Sequence, residues 1–528
     1  MNSAQRALRP SMSHWLATLF SLCVAAHGMA APSALDTTFD TDGIATATLP
    51  GGDALTPGRA VITADQKIVV ANVCTQGGVK SFCMARFNPN GSIDSTFGTA
   101  GFAFGPTGAD KNVRTVTGLD IDPNTQALVV AGSCRPAPNV NDNFCVTQFS
   151  GAGVHQTNFG SYAPLVTSVG NITPGRVRVG PDSKVKLALG MPRTTPAGGS
   201  DMAILALNAD GSPDSAFVNS STAAGLVGIK LLAEPALATG KQYLSDLSIR
   251  PDGTTVYVGP CQRNSSGIFY FVCIGAVSPT GAAPQASSFF ISNFDDYPSQ
   301  IMPLPDGSFV IAGTSRRASP NGLAMVSARV TLSSTTSSLV PSWGSIGTYV
   351  GAYYSSPGAV APTLPGTVQA HNYVVSHDGK LYFQYCDGFD GSSCSNVRVD
   401  RFTVLGVPDT SWGTNGVFTI LGSTATMGNL MVQDDGKLVA AGGSPFSGGY
   451  ISAVRMTNDA MPGFACDMDI DGDGKVLPTT DGLLLSRALL GMTGNSVVQN
   501  ATGIGATRAS WAAIRDYLVL RCGLKLNP

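Results

Sequence analysis

The stretch LDTTFDTDG, Leu35 to Gly43, decides the fold because the chain repeats it. Clear copies are IDSTFGTAG from Ile93, HQTNFGSYA from His155, PDSAFVNSS from Pro213 and PDTSWGTNG from Pro408, with weaker ones at PQASSFFIS from Pro284 and VPSWGSIGT from Val340. Their aromatics fall at Phe39, Phe97, Phe159, Phe217, Phe289, Trp343 and Trp412, at intervals of 54 to 72 residues. A residue at one phase of every unit reads as packing, including the two tryptophans, which in isolation would pass for sugar-stacking groups. A second phrase sits between copies: ADQKIVVANVC, RPDGTTVYVGPC, LPDGSFVIAGTS and QDDGKLVAAGGS are four of its seven forms. Asp-Gly between apolar runs signals a hairpin, because such turns need residues that accept positive φ. Each unit then closes with a strand such as FCMARFN or ISAVRMT.

Each unit thus carries about four short strands: one after the aromatic, two around the Asp turn and one closing. Seven units predict an all-β, seven-bladed β-propeller of four-stranded blades. The expected repeats run 35–92, 93–154, 155–212, 213–282, 283–339, 340–407 and 408–460, within a domain spanning 31–460. These phrases resemble the delta-60 repeat, whose typical text is close to LDTTFG…DGKIVVAG…ARYNPDGSLD. The resemblance covers about Leu35 to Asn458, implies a propeller-like architecture, and brings no catalytic residues with it.

Bulk properties agree. A chain of 528 residues with 12% charged side chains suits strands and turns better than helical bundles. A net charge of −2 gives no electrostatic case for nucleic acid or an anionic membrane. Residues 1–30 read as a signal peptide: Arg6 and Arg9, the apolar run WLATLFSLCVAA, then GMA before Ala31. Leu22 stands where a lipoprotein signal ending at Cys23 would need a small residue. No later run is long and apolar enough to span a membrane. The expected protein is therefore secreted, periplasmic or at the cell surface. With Cys23 removed the cysteines fall into neighbouring pairs: Cys74–Cys83, Cys134–Cys145, Cys261–Cys273, Cys386–Cys394 and Cys466–Cys522. In an exported chain these read as disulfides, although sequence alone leaves the connectivity open.

After Asn458 the composition changes, and residues 461–528 predict a small α-helical module. Helical spacing in DGLLLSRALLGM and TRASWAAIRDYLVLRC would set Leu483, Leu484, Ala488 and Leu490 against Trp511, Ile514, Tyr517, Leu518 and Leu520. Ahead of the helices lies DIDGDGKVLPTTDG, in which Asp469, Asp471 and Asp473 alternate, Gly474 supplies a sharp turn and Lys475 offers a carbonyl. The ninth place is Leu477, which cannot ligate, and Asp481 arrives at the thirteenth place. The alternative is three solvated Asp with Asp481 favouring the helix N-terminus. The stretch resembles a dockerin-type calcium loop of the variant DxDGNGxxDALTDGLLILRYLFG followed by GATRT…IESYL, in which the closing Asp also stands thirteenth. That resemblance implies one calcium, held by Asp469, Asp471, Asp473, the Lys475 carbonyl and Asp481. It departs at Leu477 and lacks a second loop, which weakens any cohesin-like partner.

No G-x-S-x-G elbow, HExxH pair or phosphate loop is present. His155 and His377 read as turn residues, His371 is unassigned, and the acidic pairs in NFDDY and CDGFDG read as solvated turns. The expectation is a non-catalytic binding or scaffold protein for an extracellular glycan or protein. The alternative is a polysaccharide-degrading hydrolase or lyase, or its accessory; a catalytic propeller would gather acidic side chains from several blades at one channel mouth.

Overall fold

The computed structural model describes residues 34–49, 58–76, 78–105, 112–135, 143–159, 172–192, 200–217, 228–232, 242–262, 270–282, 285–304, 306–318, 321–333, 337–351, 372–376, 379–389, 394–421, 428–443, 450–458, 468–520, 524 and 526. The expected signal peptide, His371, His377, Cys466 and Cys522 lie outside these residues, as do the side chains of Cys386 and Cys394.

Seven antiparallel sheets form, and the innermost strand of each lies beside the innermost strands of both neighbours, closing a ring. Blade 1 holds Arg59–Ile62, Ile68–Gln76, Val79–Phe87 and Phe102–Phe104. Among the described residues blade 2 has Asn112–Ile121, Leu128–Arg135 and Asn143–Phe149. Blade 3 is Thr173–Val179, Val185–Pro192, Ser200–Leu207 and Ile229–Leu232. Blade 4 is Asp246–Ile249, Thr255–Gln262, Tyr270–Val277 and Gln285–Phe289. Blade 5 is Asp295–Pro303, Phe309–Ala318 and Asn321–Leu332, with Ser337–Leu339 and Thr348–Val350 both pairing the last of these. Blade 6 is Asn372–Val375, Leu381–Phe389, Cys394–Phe402 and Val417–Leu421. Blade 7 takes Asn429–Val432, Leu438–Gly443 and Tyr450–Met456, and its outer strand is Ile44–Thr48 from the start of the chain.

The sequence repeat and the blade are therefore out of phase by one strand. The strand after Phe39, Phe97, Phe217, Trp343 and Trp412 pairs with the preceding blade, so the first copy of the phrase locks the last blade. Apolar packing is distributed likewise, with one buried cluster between each pair of neighbouring blades. Phe39, Val70, Phe87, Val439 and Ile451 fill the one that joins blades 7 and 1. Six of the seven phrase aromatics are at most 7% exposed, as their phase predicts. Phe289 is the exception: its phrase lies in an outer strand, and the ring is half-buried.

The phrase repeats because its aspartate joins three parts of a blade. In Asp36, Asp94 and Asp409, one carboxylate oxygen accepts the N–H and hydroxyl two residues on, as at Asp94, where Thr96 donates at 3.1 and 2.6 Å. The other oxygen takes an arginine from the third strand: Arg86 at 2.7 Å from Asp94, Arg455 at 2.8 Å from Asp36, Arg401 at 2.8 Å from Asp409. At Arg455 the contact is one of charge, without the straight N–H···O line that Arg86 makes. The lysine after the Asp turn joins in, with Lys67 and Lys437 each 3.1 Å from Asp94 and Asp36. Each guanidinium also lies over the phrase aromatic, at 4.5 Å for Arg86 on Phe97 and 4.7 Å for Arg455 on Phe39.

Three other blades replace this box with different contacts. Blade 3 has Ala206 where the arginine would stand; Lys184 pairs with Asp214 at 2.9 Å, and the buried Lys186 amine sits 3.8 Å over Phe217. Burial lowers the Lys186 pKa to about 8, with Asp214 opposing the shift. Blade 5 lacks the phrase aspartate, and Arg329 turns to Asp306 of the Asp turn. In blade 2 Thr147 and His155 bond at 2.9 Å, and His155 packs edge-on against Phe149.

Two expected disulfides are formed, Cys74–Cys83 and Cys261–Cys273, each with a Cα separation of 5.8 Å. Both run diagonally across a hairpin: Cys74 faces Ser81 while Cys83 faces Asn72. Cys134 and Cys145 occupy the same diagonal, facing Asn143 and Gly132, but the expected bond between them is not formed; Cys145 Sγ donates to Gly132 O at 3.6 Å.

Past the ring come three short helices: α1 (Asp481–Leu489), α2 (Asn495–Val498) and α3 (Trp511–Leu520). Ile470, Leu484, Ala488, Val497, Ile514 and Leu518 form their core. Leu490 was expected there and is 79% exposed, because Gly491 at φ 78° ends the helix first. Arg487 donates to the carbonyls of Val497 and Gln499, both at 2.8 Å, and so holds the unpredicted α2.

Burial works against ionisation of Asp36, but hydrogen bonds from Thr38 and the charges of Lys437 and Arg455 outweigh it and hold its pKa at about 2. A carboxyl held low stabilises the fold above its unfolded pKa of about 4, and that contribution is lost as pH falls through the folded value. Urea unfolding followed from pH 6 to pH 2 should therefore show stability falling below about pH 4. Asp36→Ala, which strands Arg455, should cost about 3 kcal/mol at pH 6 and show a shallower acid loss. Equal acid slopes in both proteins would remove Asp36 from the account.

Candidate functional site

Three groups of polar side chains stand out: a ring in the lumen, a set of tyrosines at one end of blades 4 and 5, and the acidic loop before α1. The lumen ring follows from a backbone problem. An innermost strand has one ladder partner, and its other edge would leave N–H and C=O groups unpaired. Six residues before the Asp or Asn of each turn, the inner strands place Arg59, Gly118, Arg176, Asp246, Gln300, Asn372 and Asn429.

Most of these side chains reach the backbone of the next blade. Asn429 Oδ1 accepts from Ala60 N–H at 3.3 Å, and Asn372 Nδ2 donates to Gly428 O. Gln300 exchanges two bonds with Tyr373, accepting from N–H at 2.7 Å and donating to O at 3.2 Å. Asp246 accepts from Ile301 N–H at 3.2 Å, and Arg59 Nε donates to Thr117 O at 2.9 Å. Blade 2 has glycine because its neighbour is too close: a Cβ on Gly118 would stand 2.5 Å from Val177 N.

One layer along, Asp120 accepts from Val179 N–H at 2.7 Å, and Arg178 grips Asp246 at 2.9 and 3.2 Å. Burial raises the pKa of Asp120, against the charge of Arg178 and two backbone bonds. Burial and the neighbouring charge of Arg176 lower Arg59 to about 9, although Arg59 keeps some exposure to the lumen. Burial lowers Arg176 to about 10, with Asp246 opposing.

At the end of blades 4 and 5 where their inner strands begin, Tyr243, Tyr270 and Tyr297 are half-buried. The Tyr270 and Tyr297 rings lie 4.9 Å apart. Asp295 sits beside them, accepting from Tyr270 N–H at 3.0 Å and from Arg316 at 3.0 Å. Burial, with the Asp295 charge for Tyr270 and Tyr297, raises all three phenols above their ordinary value. They stay neutral near pH 7 and serve as aromatic surfaces and hydrogen-bond donors. Asp295 and Asp296 correct the reading of NFDDY as a solvated turn: they are 4% and 0% exposed, because they begin an inner strand. Asp296 is consumed by Ile291 N–H, Ser292 N–H and the Ser292 hydroxyl at 2.6 to 2.9 Å.

In the acidic loop, one oxygen each of Asp469, Asp471 and Asp473 lie within 4.8 Å of one another. The loop curls because the Asp469 carboxylate accepts the N–H groups of Gly472, Asp473 and Gly474 at 2.8 to 3.1 Å. Asp471 is fully buried, and Arg508 donates from its N–H to Asp471 O at 2.8 Å and from Nε to Ile470 O at 2.8 Å. Three close carboxylates in one curl are the hard-oxygen donor set that suits calcium. Asp481 stands outside the triad; its oxygens take Ile470 N–H at 2.6 Å, Leu477 N–H at 2.8 Å and the Thr480 hydroxyl at 3.0 Å, tying the loop's two ends together.

Sequence reasoning found the acidic loop and missed the other two groups, because it searched the loops for chemistry. The available signal was a charge inside an apolar strand just ahead of a turn, as in GRVRVG or LSDLSIR.

Residues 63–97 match a family described as a domain of unknown function (DUF5122) beta-propeller. No curated protein matches. Among solved structures, the Penicillium chrysogenum alpha-L-arabinanase is 12% identical with a TM-score of 0.39, over 66% of this chain and 95% of that one. The polysaccharide lyase Uly1 is 10% identical with a TM-score of 0.38, over 78% and 91%. Prolyl oligopeptidase B from Galerina marginata is 10% identical with a TM-score of 0.37 over 77% of this chain, which spans only 48% of that protein.

Asp246 accepts from Arg178, Leu247 N–H and Ile301 N–H together. Asp246→Ala would strand Arg178 and Ile301 N–H, and should cost about 3–5 kcal/mol in urea unfolding. A cost below about 1 kcal/mol would show that the ring does not depend on this stitch.

Proposed function

We propose that this chain is an exported binding or scaffold protein built on delta-60-type repeats. One propeller face recognises an extracellular glycan or protein, and the C-terminal module is dockerin-like and stabilised by calcium. The observation that carries recognition is the tyrosine set on blades 4 and 5. Two neutral, half-buried rings 4.9 Å apart, beside a bonded Asp295–Arg316 pair, offer aromatic faces and fixed polar groups together. Such surfaces bind sugars or peptide side chains without needing proton transfer. Two disulfides fit an oxidising compartment, and among the described residues no helix is long and apolar enough to cross a membrane.

The second reading, a polysaccharide hydrolase or lyase, draws support from Asp120 and Asp246, which two blades bring to one lumen. Against it, both carboxylates are occupied by backbone N–H groups, and Asp246 by Arg178 as well.

In the module, Asp469, Asp471 and Asp473 with the Lys475 carbonyl would hold the calcium. Asp481 sets the loop's closure. The ion would supply the positive charge that three converging carboxylates otherwise lack.

A glycan panel read for both binding and product release tests the propeller. Binding without turnover is expected, and Tyr297→Ala should weaken it at least tenfold. Release of a shortened product would establish the second reading instead. For the module, EDTA should lower the melting temperature of its transition by several degrees and calcium chloride should restore it. Asp471→Asn should abolish that response, and an unchanged melt with EDTA would remove the metal.

A further inference from the structure

Arg176 breaks the pattern of the lumen ring. Its equivalents in the other blades either bond to the next inner strand or, at Gly118, have no side chain. Arg176 is 7% exposed, yet its guanidinium makes no hydrogen bond among the described residues. A largely buried guanidinium with no hydrogen bond is costly, and here only the charge of Asp246 offsets part of the desolvation penalty. Its neighbour Arg59 commits one N–H, to Thr117 O at 2.9 Å, and the rest of its fork makes no hydrogen bond among the described residues. Between these two blades the ring position belongs to Gly118.

The carboxylates nearby hydrogen-bond elsewhere and not to Arg176. Asp246 already accepts from Arg178, Leu247 N–H and Ile301 N–H, and Asp120 from Val179 N–H. The cluster of Arg59, Arg176 and Arg178 against Asp120 and Asp246 carries three positive charges and two negative ones, an excess of one.

We propose that the lumen binds a singly charged oxyanion, the carboxylate or sulfate ester of a small acidic ligand such as a uronic acid, gripped by the free forks of Arg59 and Arg176. One negative charge neutralises the excess, and two oxygens match the planar guanidinium better than a halide does. The two cations flank one peptide: Arg59 Nε is bonded to Thr117 O, and the backbone N of Val177, the residue after Arg176, lies against the adjoining Gly118. This deepens the reading of the propeller as a recognition domain by naming the chemistry of a bound group.

The test is a thermal-shift and calorimetric titration of the full chain at constant ionic strength with sodium glucuronate and methyl sulfate, against sodium chloride and glucose. The melting temperature should rise with the two oxyanions and not with chloride or glucose. Arg176→Met should raise the ligand-free melting temperature, because an unpaired buried charge is removed, and should weaken oxyanion binding at least tenfold. A response confined to methyl sulfate would assign the site to sulfate esters, and one confined to glucuronate to carboxylates; both uphold it. Arg176→Met lowering the ligand-free melt, or leaving the oxyanion shift unchanged, would overturn it. Failure of the glycan panel with the oxyanion shift intact would sink the face reading and leave this site standing.

Discussion

The ring rests on a single contact repeated with variations, an aspartate wedged between a turn, an arginine and an aromatic face. A propeller blade is otherwise a small sheet with a weakly held outer strand. The phrase aspartate fixes that strand's approach by holding the turn before it with one oxygen and the third strand's guanidinium with the other. The aromatic below screens this pair from water and gives the cation a second partner. Because the first copy lies at the start of the chain and its arginine in the last blade, the same contact that finishes blades 1 and 6 also closes the circle. Ring closure therefore needs no special device; it is one more blade completed in trans along the sequence.

Stranding one member of a buried charge pair is strongly destabilising, and the altered blades respond to that constraint. Where Ala206 replaces the arginine, Lys186 enters from the adjacent strand and reaches the same ring face. Where Val340 stands in the phrase, Arg329 swings to Asp306. Blade 4 has dropped the arginine, the phrase aspartate and the deeply buried aromatic together. Charge and countercharge are kept, moved or lost as a set.

How much of this was legible depends on which groups carry a local signature. Phe39 and its equivalents announce themselves through phase, the Asp turns through composition, and Asp469, Asp471 and Asp473 through alternation. Each is specified by residues a few positions away. The lumen charges are specified by neighbours in another blade, so Arg176 in GRVRV reads as an ordinary strand residue until the ring is closed. The phase of the blades was hidden for a related reason: a tandem repeat can be cut anywhere, and only pairing shows that the cut falls before the outer strand. Asp295 and Asp296 were misread as solvated because two adjacent acids usually sit in turns, whereas here one faces Arg316 and the other a set of donors at residues 291–292. Leu490 failed because periodicity does not report where a glycine stops a helix.

The distribution of departures along the ring carries its own logic. Blades 1, 6 and 7 keep the full Asp–Arg–aromatic box, and their lumen positions are filled by Arg59, Asn372 and Asn429, each bonded to the next blade's backbone. Blades 2 to 5 have altered the box, and they also contribute Gly118, Arg176, Asp246 and the three tyrosines. A blade whose strand residues are chosen for something other than its own closure has less freedom to keep the standard box. Lys186 shows the compensation, since it restores a cation over Phe217 in the same blade that places Arg176 unbonded in the lumen. The part of the ring least faithful to its own repeat is thus the part in which half-buried tyrosines and the unbonded Arg176 guanidinium accumulate, while the faithful blades supply the frame that holds them in place.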